Sequence, residues 1–281
     1  MFEHRLARVL TVLSVLASLS IGASLLVSPG PAHADVLACG NTITSNVKLT
    51  ADVTGCTGDG LIVGADNVTI DGGGHSLLGA SSRFSGIVVD GHRNVRIKNV
   101  TVGNFCVGVD IGNSTGVTLS NVVIDFNQCA FVSISDSERV SISGSTFSSS
   151  GGAGVIISSS DKVKLMNNQL GGADSGFVFI EVDGARVVRN ASNGTYLGNF
   201  VLDGTTNSTF MQNEGFVSNS EADFVVDADS TGNRFARNSS TSGTDSFVDE
   251  SSGDGTAGTA NTYQGNTCIV PSSPEGLCTQ P

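Results

Sequence analysis

Asp203, Asp227 and Glu250 each stand fifth in one of three similar stretches, "NFVLD", "DFVVD" and "SFVDE", and Glu181 lies one residue off the same position. Carboxylates repeated at one place in a stacked structure repel unless a cation sits between them, and clustered oxygens suit Ca2+. The three are therefore candidate metal ligands, with Ca2+ the implied ion. Arg186, Arg189, Arg234 and Arg237 fall in the same part of the chain. A second candidate is Asp90 and His92, with Arg93, and Asp110 about one stretch later. Histidine titrates near neutrality, and beside carboxylates it could carry acid–base catalysis.

These residues are placed by a repeat. From Gly86 the chain reads "GIVVDGHRNVRIKNVTVGNF", from Gly108 "GVDIGNSTGVTLSNVVIDFN", and related units start at Phe131, Gly154, Gly176, Asn199, Asp223 and Ser246. The starts are 22 to 24 residues apart. Alternating apolar residues within each unit face one side of a strand. One such unit cannot bury that side alone, whereas stacked units can. Ile87, Val109, Val132, Val155, Phe177, Phe200, Phe224 and Phe247 form one predicted inward column, aliphatic at first and aromatic from Phe177, where ring-on-ring stacking is expected. Val95, Val117, Val140 and Val163 form a second column, and Ile97, Leu119, Ile142 and Leu165 a third. Asn99, Asn121 and Asn167, with Gly144, share a turn where an amide ladder could satisfy buried groups. Val178, Val201, Val225 and Val248 face outward as a possible floor for a small apolar molecule. Asp110 is the polar exception on that face.

Composition sets the compartment. Residues 1–34 read as a signal peptide, with Arg5 and Arg8 ahead of an apolar run and Ala32-His33-Ala34 as the cleavage site. After it no segment reaches the roughly 20 apolar residues that span a bilayer, so a secreted or extracytoplasmic chain without membrane association is expected. All six cysteines follow residue 34, and an even count in an exported chain favours disulfides. Local spacing suggests 39–56, 106–129 and 268–278, and a coil-to-coil spacing of about 4.8 Å lets Cys106 and Cys129 bridge adjacent coils. The formal charge of −12 repels nucleic acid and would repel an anionic polymer unless a cation bridged the two.

At 22–24 residues with three short strands per unit, the repeat, with "LIVGADNVTIDGGGHSLLG" as one further coil, resembles the right-handed parallel β-helix proteins of the pectate-lyase-like fold. That group includes pectate lyases, polygalacturonases, alginate epimerases and NosD-like periplasmic proteins. The resemblance implies an all-β solenoid of about nine coils over 60–252, a disulfide-closed N-terminal cap over 35–59 and a C-terminal cover over 253–281. It also implies an exported, carbohydrate-active protein. The most concrete version is a calcium-dependent lyase of uronate polymers, and the alternative is a non-catalytic binding or structural module. The polygalacturonase pattern is incomplete: Gly91-His92 and Arg96-Ile97-Lys98 match parts of it, Arg93 replaces a glycine, and Asn-Thr-Asp and Asp-Asp are missing. Ile97 is expected inside, with Lys98 forming a surface ion pair to Asp71.

Overall fold

The computed structural model describes residues 37–80, 83–216, 222–241 and 245–281. The expected signal peptide lies outside them. Every named strand belongs to one of three ten-stranded sheets, and the chain visits the sheets in strict rotation, so each strand pairs with its counterpart in the coils before and after. All pairings are parallel, and the result is a parallel β-solenoid. The expected columns are real registers. Ile87, Val109, Val132, Val155, Phe177, Phe200, Phe224 and Phe247 are in register along the first sheet, and Ile97, Leu119, Ile142 and Leu165 along the second. All of them are buried.

The change to phenylalanine has a packing reason. On the third sheet the inward column shrinks from Leu170 to Ser192, Gly215 and Ser240 in the same coils. Large rings on one wall fill the space that small residues leave on another, as close packing requires. The rings stack as expected, with centroids 5.4, 4.8 and 4.4 Å apart from Phe177 through Phe200 and Phe224 to Phe247. A second stack, Phe210–Phe235–Tyr263, meets the first edge-on.

The amide ladder lies one residue from its expected place. Asn99, Asn121, Gly144 and Asn167, followed by Arg189, Gln212, Arg237 and Gly265, are left-handed turn residues with φ between 51° and 60°, a conformation that Asn and Gly tolerate best. Asn167 is exposed. The next residue turns inward, and there Asn168, Asn190, Asn213, Asn238 and Asn266 are buried and bonded amide to amide at 2.9 to 3.1 Å. Each of the five also donates to a carbonyl of the preceding coil, as Asn213 does to Val187 at 2.9 Å.

All three disulfides form as the spacing suggested: Cys39–Cys56, Cys106–Cys129 and Cys268–Cys278. The end segments carry strands of their own. Asn41–Ile43, Val47–Lys48 and Val53–Cys56 are the first strands of the three sheets, and Thr262–Gln264 and Thr267–Cys268 the last of the second and third. The stack thus reaches into both expected caps, and only the segment after Cys268 lies beyond its last strand. Among the described residues no helix is long and apolar enough to cross a membrane.

Candidate functional site

The outer face of the first sheet carries both acidic groups anticipated from the sequence. In the upper group, register sets Asp110 between Val88 and Ser133, with Asp90 opposite Gly112. Burial pushes the Asp110 carboxyl up, the Ser133 hydroxyl pulls it partly back, and the negative charges of Asp90 and Asp59 push it further up. Asp90 accepts a hydrogen bond from Asn113 Nδ2 at 2.9 Å, and Asp59 accepts the Ser85 N–H at 2.9 Å.

His92 does not join this group. Its Nδ1 lies 3.3 Å from Asp66 Oδ1, and its backbone N–H donates to Ser114 Oγ. Asp66 also accepts the Arg93 N–H at 2.9 Å, and that bond does most to hold its carboxyl below the usual range. His75 is engaged in the same way by Asp52 at 3.2 Å. The structure therefore unites Asp90 and Asp110 with Asp59, and gives His92 to Asp66. Neither new partner was identified in the sequence. Yet the earlier coil reads Asp66-Asn67-Val68 where the next reads Arg93-Asn94-Val95, so aligning the two sets Asp66 opposite Arg93.

In the lower group Asp203 ends the strand Phe200–Asp203, and Asp227 follows the strand Ala222–Val226. Leu202 and Val226 are in register, so the two carboxyls sit level on adjacent coils. Their titrations diverge. Burial pushes Asp203 up, and the neighbouring Asp227 carboxyl adds to the shift. Burial also pushes Asp227 up, but the Ser230 hydroxyl, the Gly204 N–H at 3.1 Å and Asp203 outweigh it and leave Asp227 below the usual range. Such a split is how a pair of carboxyls divides into an acid and a base.

Glu250 is level with Asp227, since Val226 pairs with Asp249. The last coil changes path there: Asp249 is buried and bonded to Ser251, Asn261 and Tyr263. No three His, Cys, Asp or Glu side chains converge as a metal cluster among the described residues. Arg186 and Arg234 lie in strands of the second sheet, and Arg189 and Arg237 in the turns that follow, so they are not presented with the acidic pair. From below Asp110 to alongside the lower group, Ile156, Val178, Val201, Val225 and Val248 run in register as a half-buried aliphatic stripe, with Val201 and Val225 in the same coils as Asp203 and Asp227.

The family model for periplasmic copper-binding protein (NosD) matches residues 39–268, most of the chain. The chain belongs to the NosD family. No curated protein matches it by sequence. Among solved structures, this NosD-family chain is similar to the alginate lyase of Paenibacillus sp. str. FPU-7, with a TM-score of 0.62 and 16% identity over 84% of this chain and 91% of that one. It is also similar to the A-module of the mannuronan C-5 epimerase AlgE6 of Azotobacter vinelandii, with a TM-score of 0.53 and 12% identity over 83% and 77% of the two chains. The surface protein and adhesin PfbA of Streptococcus pneumoniae gives a TM-score of 0.54 at 11% identity over 83% and 82%. At these identities the likeness is one of fold. It spans two polysaccharide-acting enzymes and an adhesin, and the NosD family itself is periplasmic.

Proposed function

We propose that this protein is an extracytoplasmic carbohydrate-active β-helix that lays a polysaccharide across the outer face of its first sheet. The observation that carries the reading is the placement of the Asp203–Asp227 pair, the aliphatic stripe and Asp110 along that one face. Carboxyls accept sugar hydroxyls, and aliphatic side chains take the C–H faces of sugar rings. A long open wall suits a linear polymer better than a small molecule, which favours an enclosed pocket. The fold it has in common with an alginate lyase, a mannuronan epimerase and an adhesin fits such an occupant.

A calcium-dependent uronate lyase is the second reading, favoured by the level carboxyls of Asp203 and Asp227, whose mutual repulsion a cation would relieve. The residues present fall short of it. Two carboxylates do not make the six to eight oxygen ligands that Ca2+ takes, Glu250 does not converge with them, and the arginines that could act as a base lie on another sheet. Copper, which the family's description implies, does not fit the described residues either. The two described histidines, His75 and His92, belong to no group of three His, Cys, Asp or Glu side chains among the described residues, and no cysteine is free.

The test is a screen of the purified chain against neutral and uronate polysaccharides with and without Ca2+, reading co-sedimentation and the ultraviolet absorbance of unsaturated products. Binding without products supports the contact wall. Products that need Ca2+ and vanish in Asp203→Asn and Asp227→Asn would establish the lyase. Neither binding nor products would sink both readings.

A further inference from the structure

A different face holds a second feature that the first-sheet reading does not use. At the corner where the third sheet turns into the first, Asn104, Phe126, Ser149, Gly172 and Gly194 each follow a third-sheet strand, and all are left-handed, with φ from 54° to 66°. Four of the five are Asn, Ser or Gly, which accept this conformation. Phe126 does not: a bulky aromatic at φ 54° is strained. It gains nothing from burial in return, since it is 63% exposed. Its turn is held firmly, because Cys129 three residues on is bonded to Cys106 of the preceding coil, and the Phe126 N–H donates to Asp125 Oδ1 at 2.9 Å.

Directly along the stack lies a hollow of about 380 Å³ lined by Thr146, Ser148, Ser149, Gln169, Gly171 and Asn193, among others. No side chain lining it is ionisable, in a chain of net charge −12. The nearby Asp125 carboxylate is already engaged by the Ser148 hydroxyl at 2.9 Å. Gly171 makes room for the amide: a Cβ there would lie 2.6 Å from Asn193 Oδ1. At the far end, the turn after Ala191–Asn193 presents Tyr196, 60% exposed. Three coil steps separate the Phe126 and Tyr196 turns, about 14 Å at roughly 4.8 Å per step.

We infer that this corner is a subsite for a neutral oligosaccharide, with Phe126 and Tyr196 as ring platforms at its two ends and the Ser148–Gln169–Asn193 surface as the hydrogen-bonding floor between them. The inference rests on the carbohydrate reading and deepens it by naming the substrate class. Amides both donate and accept, as sugar hydroxyls do, and the Ser148 hydroxyl, which donates to Asp125, can still accept. Aromatic rings present a flat apolar face that is cheap to order. A polyanion would instead meet an acidic chain with no cation in the hollow.

The protein has two tyrosines and no tryptophan, and Tyr263 is packed away with its hydroxyl 2.7 Å from Asp249. Tyrosine fluorescence therefore reports on Tyr196. The experiment titrates the full chain with cellohexaose, xylohexaose and mannohexaose, with hexagalacturonate as the charged probe, by tyrosine fluorescence and calorimetry. The expected result is that at least one neutral hexasaccharide binds and perturbs tyrosine emission. Phe126→Asn and Tyr196→Ser should each weaken it at least tenfold, while Asp203→Asn does not. Phe126→Asn should melt no lower than the parent, since asparagine suits the turn, so its loss of affinity could not be blamed on unfolding. Neutral binding that survives both ring variants would overturn the inference, and its loss in Asp203→Asn would then leave the first-sheet reading standing. Binding of hexagalacturonate alone would also overturn the inference but not that reading. Binding of no carbohydrate would overturn both.

Discussion

Asp110 sits where its register neighbours are Val88 and Ser133, and there it is half-buried beside the charges of Asp90 and Asp59. Because its folded pKa lies above the unfolded value, the folded state holds the proton more tightly than the unfolded state does. By linkage, stability rises as pH falls through the folded value, and at neutral pH the ionised carboxyl is a net cost. Asp110→Asn should therefore raise the melting temperature at pH 7, with the gain shrinking toward zero once the wild-type carboxyl is itself protonated. Thermal denaturation across pH checks this, and a lower melting temperature at pH 7 would mean that the charge is stabilised by something other than Ser133. Asp71 behaves oppositely. The Gly73 N–H, Asn99 and Lys98 at 3.0 Å hold its carboxyl down to about 2, so its contribution is present above the unfolded value and lost as pH falls through about 2. The Asp71–Lys98 pair was legible in the sequence because both residues sit on strands with a clear period. The partners of Asp110 and His92 were harder to see, because Asp59 and Asp66 lie in turns, where register is set by three-dimensional closure rather than by alternation.

At the scale of the element, the turn between the second and third sheets shows how one residue of offset separates a surface position from a core position. The column of asparagines was legible, but which member of the Asn167-Asn168 pair faces inward depends on the left-handed φ of the first, and periodicity does not reveal φ. Asn213 accepts from the backbone N–H and the amide of Asn190 and donates to Val187 and Asn238, all of them buried. Asn213→Ala would strand several of these groups, at a cost of about 2–4 kcal/mol. In a domain of this size that lowers the melting temperature by very roughly 4–16 °C. Asn167→Gly changes an exposed residue whose backbone already has φ 54° and should be close to neutral. If the two variants melted alike, the ladder would not be carrying the turn. The aromatic column was legible throughout, because stacking of like residues follows directly from a repeat of fixed length.

For the whole molecule, a solenoid must end, and its last strands present unpaired backbone edges that invite pairing with another chain. The C-terminal tail answers this here. Ser273 bridges to Val248 and Thr279 to Thr267, extending two of the sheets by one contact each. Leu277 is buried at 2% exposure over the end of the core, and its N–H donates to the Ser272 hydroxyl. Cys268–Cys278 then ties the tail to the last strand of the third sheet. A chain ending at Val270 would lose all of these together, exposing both edges and the apolar end while leaving the stack above intact. It should therefore form concentration-dependent oligomers in light scattering, although the wild type stays monodisperse under the same conditions. Cys268→Ser with Cys278→Ser keeps the tail but removes its tether, which on loop-closure grounds is worth about 2–3 kcal/mol. That variant should melt at a lower temperature and still remain dispersed. A truncated chain that stayed monodisperse would show that the final coil protects its own edges, and that the tail serves only to hold the disulfide.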